Sequence, residues 1–188
     1  MFTFRVDDEI QLKLLEQPDA FPLFVLIDRQ RDYLREFLPW VDRVTSAENY
    51  FASIAGWTEQ FRQGLGFQAG ILYRGELCGM IGFHPYDLQN RRTSIGYWLS
   101  GDRQGKGIMT RCCRAVIDDA FETTAVNRIE IGAATQNAKS RAIPERLGFA
   151  HEGTIRDAEW IYDHFVNHEI YSLLRSEWRK ARLKKANP

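Results

Sequence analysis

The order of periodicities along the chain predicts a mixed α+β fold, a sheet flanked by helices. Three observations carry that expectation. Segments with extended apolar character exchange with segments of helical periodicity from one end of the chain to the other. A strand at 128–134 has a helical stripe on each side of it in sequence, one from Ile108 to Phe121 and one from Asn137 to Leu147. The 188 residues carry no internal repeat or interdomain linker, which suits one domain with a sizeable core.

Taken in order, Phe2/Phe4/Val6 and Ile10/Leu12/Leu14 alternate as an edge strand or bent hairpin. From Asp19 the period changes. Leu23, Leu26, Ile27, Tyr33, Leu34, Phe37 and Leu38 make one helical stripe that stops at Pro39. Thr45-x-x-Glu48 reads as a capping box for a second helix bearing Tyr50, Phe51, Ile54, Trp57 and Phe61, ending near Gly64 and Gly66. A hairpin follows: 68–73, the turn Arg74-Gly75, then 76–84. The turn puts Arg where positive φ is unusual. His84, beside Pro85, reads as a structurally satisfied imidazole ahead of a catalytic one. Strand 93–99 leads into a polar loop and the helix at Ile108, whose Cys112, Ala115, Val116, Ala120 and Phe121 share one face. After 128–134 and the helix at 137–147, Gly148 breaks the chain. Phe149 to Ile155 and His168 to Leu174 read as antiparallel strands, with 160–167 crossing between them, and a βαβ crossover is expected on each side of 128–134.

Bulk properties exclude several function classes. Lys+Arg and Asp+Glu both number 25, so no global field favours nucleic acid or an anionic membrane. No apolar run approaches the ~18 residues of a spanning helix, and no signal-peptide pattern follows Met1, so the expected compartment is the cytoplasm. Cys78, Cys112 and Cys113 read as buried thiols, neither a disulfide frame nor a metal site. Arg175, Arg179, Lys180, Arg182, Lys184 and Lys185 read as solvated, partly disordered basic residues near the C-terminus, with the domain spanning 1–178 and a basic tail 179–188. The alternative reading of that tail is a ribosome- or RNA-binding element.

The informative stretch is Trp98-Leu99-Ser100-Gly101-Asp102-Arg103-Gln104-Gly105-Lys106-Gly107-Ile108-Met109-Thr110. A strand ends, a Gly-bearing loop follows, and a helix starts, so unpaired backbone N–H groups and the positive end of the helix dipole point into the loop. Such a place binds anions, and two glycines let the backbone close on a phosphate. A plain strand-to-helix turn with a solvated Lys106 is the competing reading. A P-loop does not fit, because Gly101 to Gly105 is one residue short and Gly107 follows Lys106. A dinucleotide fingerprint fails at Thr110.

Gln-x-x-Gly-x-[Gly/Ala] does fit from Gln104, except that Met109 departs from the small residue of the last place. It resembles the pyrophosphate loop of the GCN5-related N-acetyltransferases (GNAT), which bind acetyl-CoA. Asn137-Ala138-Lys139-Ser140 and Leu147-Gly148-Phe149 are similar to a second block of the same family, in the order its fold requires. Gly96-Tyr97-Trp98 and His168-Glu169-x-Tyr171 narrow the resemblance to the RimJ/RimL-type ribosomal-protein N-terminal acetyltransferases.

The resemblance implies a central, mostly antiparallel sheet splayed at the cofactor site. It implies that the pantetheine arm pairs with the strand end at Trp98–Ser100, among them Leu99. The pyrophosphate would lie on Gln104, Gly105, Lys106, Gly107, Ile108, Met109 and Thr110. Asn137 would bond the cofactor arm, and it also suits an N-cap. Many members carry a Tyr as acid where this chain has Pro144, so the resemblance hands the task of protonating the departing sulfur to Ser140. Glu159 matches a carboxylate that RimL-like enzymes use through water, although close relatives often carry a Glu where this chain has Ser94. The implied reaction is acetyl transfer from acetyl-CoA to a protein N-terminal amine, with no metal, no membrane and no specific nucleic acid. It leaves room for a homo-oligomer. Polyamine or aminoglycoside acetylation, and a catalytically silent acyl-CoA-binding module, are the alternatives.

Overall fold

A computed structural model describes residues 3–186; Phe2 and the last two residues of the expected tail lie outside the described residues. The strands are β1 Thr3–Arg5, β2 Ile10–Leu14, β3 Gln68–Tyr73, β4 Glu76–Phe83, β5 Arg92–Leu99, β6 Arg128–Ala134, β7 Ala150–Ile161 and β8 His164–Leu174. The helices are α1 Ala20–Arg29, α2 Arg31–Leu34, α3 Phe51–Arg62, α4 Ile108–Thr123, α5 Ala138–Leu147 and α6 Arg175–Ala186. All eight strands join one sheet in the order β1-β2-β3-β4-β5-β6-β8-β7.

Alternation along the strands gives each face its own core. Ile71, Ile81, Ile95, Ile129 and Ile131 pack beneath the apolar stripe of α4, where Ile108, Cys112, Cys113, Val116 and Phe121 are buried. The opposite face carries Leu15, Met80 and Trp98 against Leu23 and Ile27 of α1 and Ile54 of α3. Burial pushes the Cys78 thiol up to about 11 and the Cys112 thiol to about 12, so the cysteines behave as core side chains.

Among the described residues the only parallel pairing lies between β5 and β6, and it is short. Arg92 stands opposite Arg128, Thr93 opposite Ile129 and Ser94 opposite Glu130. Beyond Ser94 the two strands diverge, while β5 stays paired to β4 as far as Leu99. This is the expected splay.

Five sequence expectations are corrected. The stripe from Asp19 to Leu38 is not one helix: it breaks at Gln30, whose Oε1 accepts from the Gly101 N–H at 2.9 Å. Arg31 holds the break by donating to the carbonyls of Val41 and Val44, both at 2.7 Å. The capping box sits one residue later than Thr45/Glu48, between Ser46 and Asn49. It moves because the Asn49 amide oxygen accepts from both the Thr45 and Ser46 N–H groups, at 3.0 and 2.9 Å. Residues 160–167 do not cross between strands but extend β7 and β8 into a long hairpin turning at Tyr162-Asp163. Register shifts between His151 and Gly153, and between Ile155 and Glu159, hide the alternation. The second crossover does not reach a neighbour of β6, since β8 lies between β6 and β7. The basic residues read as a disordered tail are helical through α6, which runs unbroken across 178–179. Its Arg175 donates to the carbonyls of Phe121 (2.5 Å), Thr124 (2.6 Å) and Val126 (2.8 Å) at the far end of α4. Trp178 bonds Asp118 at 2.6 Å.

Arg74 does adopt positive φ (53°) in the β3–β4 turn, and its guanidinium is fixed on Glu9 at 2.6 Å.

Where β6, β7 and β8 meet, Arg128 bonds Glu130 at 2.8 Å and Glu152 at 2.6 Å, and Ser172 donates to Glu152 at 2.7 Å. Arg128 first, then the Ser172 hydroxyl, lower the Glu152 carboxyl from 4.5 to about 2. Its charged form therefore stabilises the fold above pH 4.5, and that contribution is lost as pH falls through about 2. With the two side chains 24% and 40% exposed, solvent screening reduces it. Glu152→Gln should lower unfolding free energy at neutral pH by on the order of 1 kcal/mol. It should also flatten the stability-versus-pH curve on the acid side, as read by denaturant titrations across pH.

Candidate active site

The divergence of β5 from β6 opens a cavity of about 980 Å³. Its walls are the end of β5 (Tyr97, Trp98, Leu99), the loop and first turn of α4, one side of α5 from Ala138 to Arg146 with its cap Asn137, and residues of α2 and the segment after it (Tyr33, Leu34, Phe37, Leu38). Of the residues expected to hold a cofactor, Trp98, Leu99, Gln104, Gly105, Gly107, Ile108, Met109, Thr110, Asn137 and Ser140 all line this one cavity. Lys106 does not; its ammonium lies 5.7 Å from the centre of the Tyr73 ring.

The loop is shaped by backbone conformation. Gly105 and Gly107 have φ of 74° and 70°, and Gly107 is the N-cap of α4. A left-handed cap here turns the first N–H groups of α4 toward the cavity, where they have no intrahelical partners. A Cβ built on either glycine meets nothing within 4 Å, so conformation, not crowding, calls for glycine.

Two cations join these N–H groups on the wall. Lys139 donates to Gln104 Oε1 at 2.9 Å and Arg146 to Thr110 Oγ1 at 3.3 Å, and neither meets a carboxylate among the described residues. Arg111 and Arg103 also line the cavity but are neutralised, the first by Asp7 (2.8 Å) and Glu9 (3.1 Å), the second by Glu76. Gln104 also bonds the Tyr33 hydroxyl, so one side chain links α2, the loop and α5. The sequence signal for these cations was the spacing of Lys139 and Arg146, two turns apart on α5. The roles of Tyr33 and Gln30 had no local signal.

Asn137 caps α5, accepting from the Ser140 N–H at 3.0 Å. Pro144 lies inside the same helix and has no N–H for the carbonyl of Ser140, four residues before it. Tyr97 fills that vacancy: its hydroxyl donates to the Ser140 carbonyl at 3.0 Å and accepts from Ser140 Oγ at 3.3 Å. Burial drives the Tyr97 phenol far above its ordinary range, so it stays protonated. A proline in α5 thus couples Ser140 to β5 across the mouth of the splay.

Glu159 lies elsewhere. It is on β7, outside the cavity lining, with its carboxylate 3.2 Å from His168 Nε2. In the His168-Glu169-x-Tyr171 run, Glu169 accepts from His151 (2.6 Å), Thr154 (3.0 Å) and Thr135 (3.1 Å), and the His151 bond above all lowers its carboxyl. Tyr171 donates to Glu145 at 3.0 Å. These bonds fix the turn that carries Asn137. His84 bonds Ser94 at 2.8 Å, the satisfied role expected of it. Among the described residues no cluster suits a metal ion, and no helix is long and apolar enough to cross a membrane.

Tyr97→Phe should leave the Ser140 carbonyl without a donor and lower unfolding free energy by about 1–3 kcal/mol, measured by chemical denaturation.

Comparison with known proteins agrees with this geometry. Residues 10–150 match the acetyltransferase (GNAT) domain. The chain is 43% identical over 181 residues to the protein named Putative ribosomal N-acetyltransferase YdaF of Bacillus subtilis (strain 168), covering 95% of this chain and 98% of that one. It is 27% identical over 170 residues to the ribosomal-protein-serine acetyltransferase of Escherichia coli (strain K12), covering 90% and 95%. The solved structure of the microcin C7 self-immunity acetyltransferase MccE, in complex with acetyl-CoA and AMP, superposes with a TM-score of 0.86 at 27% identity, over 90% of this chain and 94% of that one. The splayed sheet, the left-handed loop at the start of α4 and the match across most of the sequence lead to one assignment: the chain belongs to the GNAT acetyltransferases.

Proposed function

We propose that the protein transfers the acetyl group of acetyl-CoA to the α-amine at a protein N-terminus, with a ribosomal protein as acceptor. The observation that carries this reading is the splay, which joins an unpaired strand edge and a helix N-terminus in one cavity. The residues fit the cofactor. The N–H groups of Gly105 to Thr110, with Lys139 and Arg146, suit a pyrophosphate. The free edge of β5 up to Leu99 suits an amide-bearing arm, held as an added strand would be. When bound, acetyl-CoA supplies an activated acyl thioester. The names of two relatives, Putative ribosomal N-acetyltransferase YdaF and the ribosomal-protein-serine acetyltransferase, support the acceptor.

The chain's own groups then have two proton tasks. Ser140 gives its hydroxyl proton to the departing sulfur and is reprotonated from solvent. Tyr97 holds it in place. Pro144 explains why the task falls to Ser140, since a tyrosine cannot serve from that position. The proton of the attacking amine leaves through water towards Glu159, whose carboxylate lies outside the cavity lining beside His168. An N-terminal amine has a pKa of only about 7.7–8.0, so little driving force is required of that acceptor.

Mass spectrometry of protein N-termini from cells with and without the enzyme tests the acceptor. Acetylation confined to spermidine or a sugar amine would replace this reading with the small-amine alternative.

Saturating acetyl-CoA should raise the melting temperature, about 2.7 kcal/mol of added stability being expected at a hundredfold excess over Kd. Gly107→Asp should abolish that shift. A side chain has room there but is strained at the left-handed φ of 70°, so the loss would combine that backbone strain with the negative charge set against the pyrophosphate.

Ser140→Ala should lower kcat about a hundredfold. Its Kd for CoA should change much less, because one neutral hydrogen bond is worth roughly 1 kcal/mol. Full kcat with lost CoA binding would make Ser140 a binding residue only.

A further inference from the structure

Two imidazoles lie over glycines on the two diverging strands. A Cβ at Gly96 of β5 would meet the His84 ring at 3.2 Å, and one at Gly132 of β6 would meet His168 Nδ1 at 3.7 Å. His84 is engaged with Ser94 through Nδ1. His168 is different: Nε2 is 3.2 Å from Glu159, and among the described residues Nδ1 has no hydrogen-bond partner.

The sheet register locates this pair. His168 stands directly opposite Ala134, the last residue of β6, so the two side chains share a face. Ala134 packs with Ile161, Val166, Phe37 and Tyr162 in a small cluster. Phe37 is also a wall of the cavity. The Ala134 carbonyl accepts from the Asn137 N–H at 2.8 Å, one helical turn before Ser140. Neither His168 nor Glu159 lines the cavity itself; the pair is linked to its Phe37 wall through Ala134, on the sheet face away from α4, with Ser140 beyond the turn at the end of β6. The ring remains partly open, its side chain being 24% exposed.

We propose that His168, backed by Glu159, takes the proton from the acceptor amine. This rests on the acetyltransferase reading and replaces a direct role for Glu159 with a positioning one. The carboxylate favours the tautomer with the proton on Nε2, which leaves the Nδ1 lone pair free above Gly132. The missing side chain at Gly132 gives a small amine room to approach it. As the amine nitrogen bonds to the acyl carbon, its proton passes to Nδ1. The C–S bond breaks with its electron pair on sulfur, which takes the proton of Ser140. The imidazolium formed is stabilised by Glu159 and returns its proton to water.

The test uses the full chain with acetyl-CoA and two acceptors, a short peptide beginning with Ser and the small amine ethanolamine. His168→Gln keeps a donor for Glu159 and should lower kcat about a hundredfold on both acceptors, with the melting temperature and the acetyl-CoA Kd unchanged. Glu159→Gln should cost less, and the double variant no more than His168→Gln alone, because the two act as a unit. The loss in His168→Gln should shrink with trifluoroethylamine, whose weakly basic nitrogen, once bonded to the acyl carbon, gives its proton to water more readily; a merely structural role would not move with acceptor basicity. A His168→Gln enzyme within threefold of wild-type kcat would overturn the proposal, as would losses that multiply in the double variant. If the wild type acetylates ethanolamine but not the peptide, the peptide acceptor falls and His168 is judged on ethanolamine. If it acetylates neither, the enzyme reading and the proposal fall together.

Discussion

Past Ser94 the two central strands stop bonding to each other, and every later arrangement in the molecule answers that break. Backbone N–H and C=O groups on the facing edges of β5 and β6 need partners that the sheet no longer provides. A cleft lined by such groups is matched to a ligand that carries its own amides. The outer edges of both strands stay paired, β5 to β4 and β6 to β8, so the opening is held rigidly from both sides. The site is a fault in the sheet kept open by two intact halves.

The elements around the opening are fastened by long-range bonds rather than by local sequence. Gln30 reaches Gly101, Tyr33 reaches Gln104 and Tyr97 reaches Ser140. Tyr162 on the β7–β8 turn donates to the Leu38 carbonyl at 2.9 Å, and Arg35 lies 4.2 Å from the centre of its ring. The segment after α2, which walls the cavity at Phe37 and Leu38, is thus tied to the β7–β8 hairpin outside it. The Tyr97–Ser140 bond has a covalent cause, the N–H that Pro144 lacks. One residue both denies the helix a tyrosine and redirects another tyrosine onto the nearest serine.

Strands 68–73 and 128–134, the Arg74-Gly75 turn and the start of α4 were legible because period, glycine and burial all agreed there. The cavity wall was legible for the same reason: residues 104–110 and 137–140 carry their geometry in glycine positions and a capping asparagine. The break at Gln30 was not, because a side-chain bond from a residue 71 positions away overrides an unbroken apolar stripe. The β7–β8 hairpin was missed where its register shifts, since alternation is lost across a bulge. Lys106 divides in two: its side chain lies over the Tyr73 ring, and only its backbone N–H is left to the loop. Glu159 could not be placed from sequence because its neighbour, His168, is joined to it only by the folded hairpin.

Arg175 clamps the far end of α4, the helix whose first turn faces the cavity. The guanidinium occupies the negative end of the helix dipole while an anion would occupy the positive end. A ligand and the C-terminal helix are therefore two weights on the same beam. Filling the cavity should tighten the seat of α6, and an intact α6 should tighten the hold on the ligand by the same factor. Protection of the chain's last turns from proteases then becomes a remote gauge of what the cavity contains.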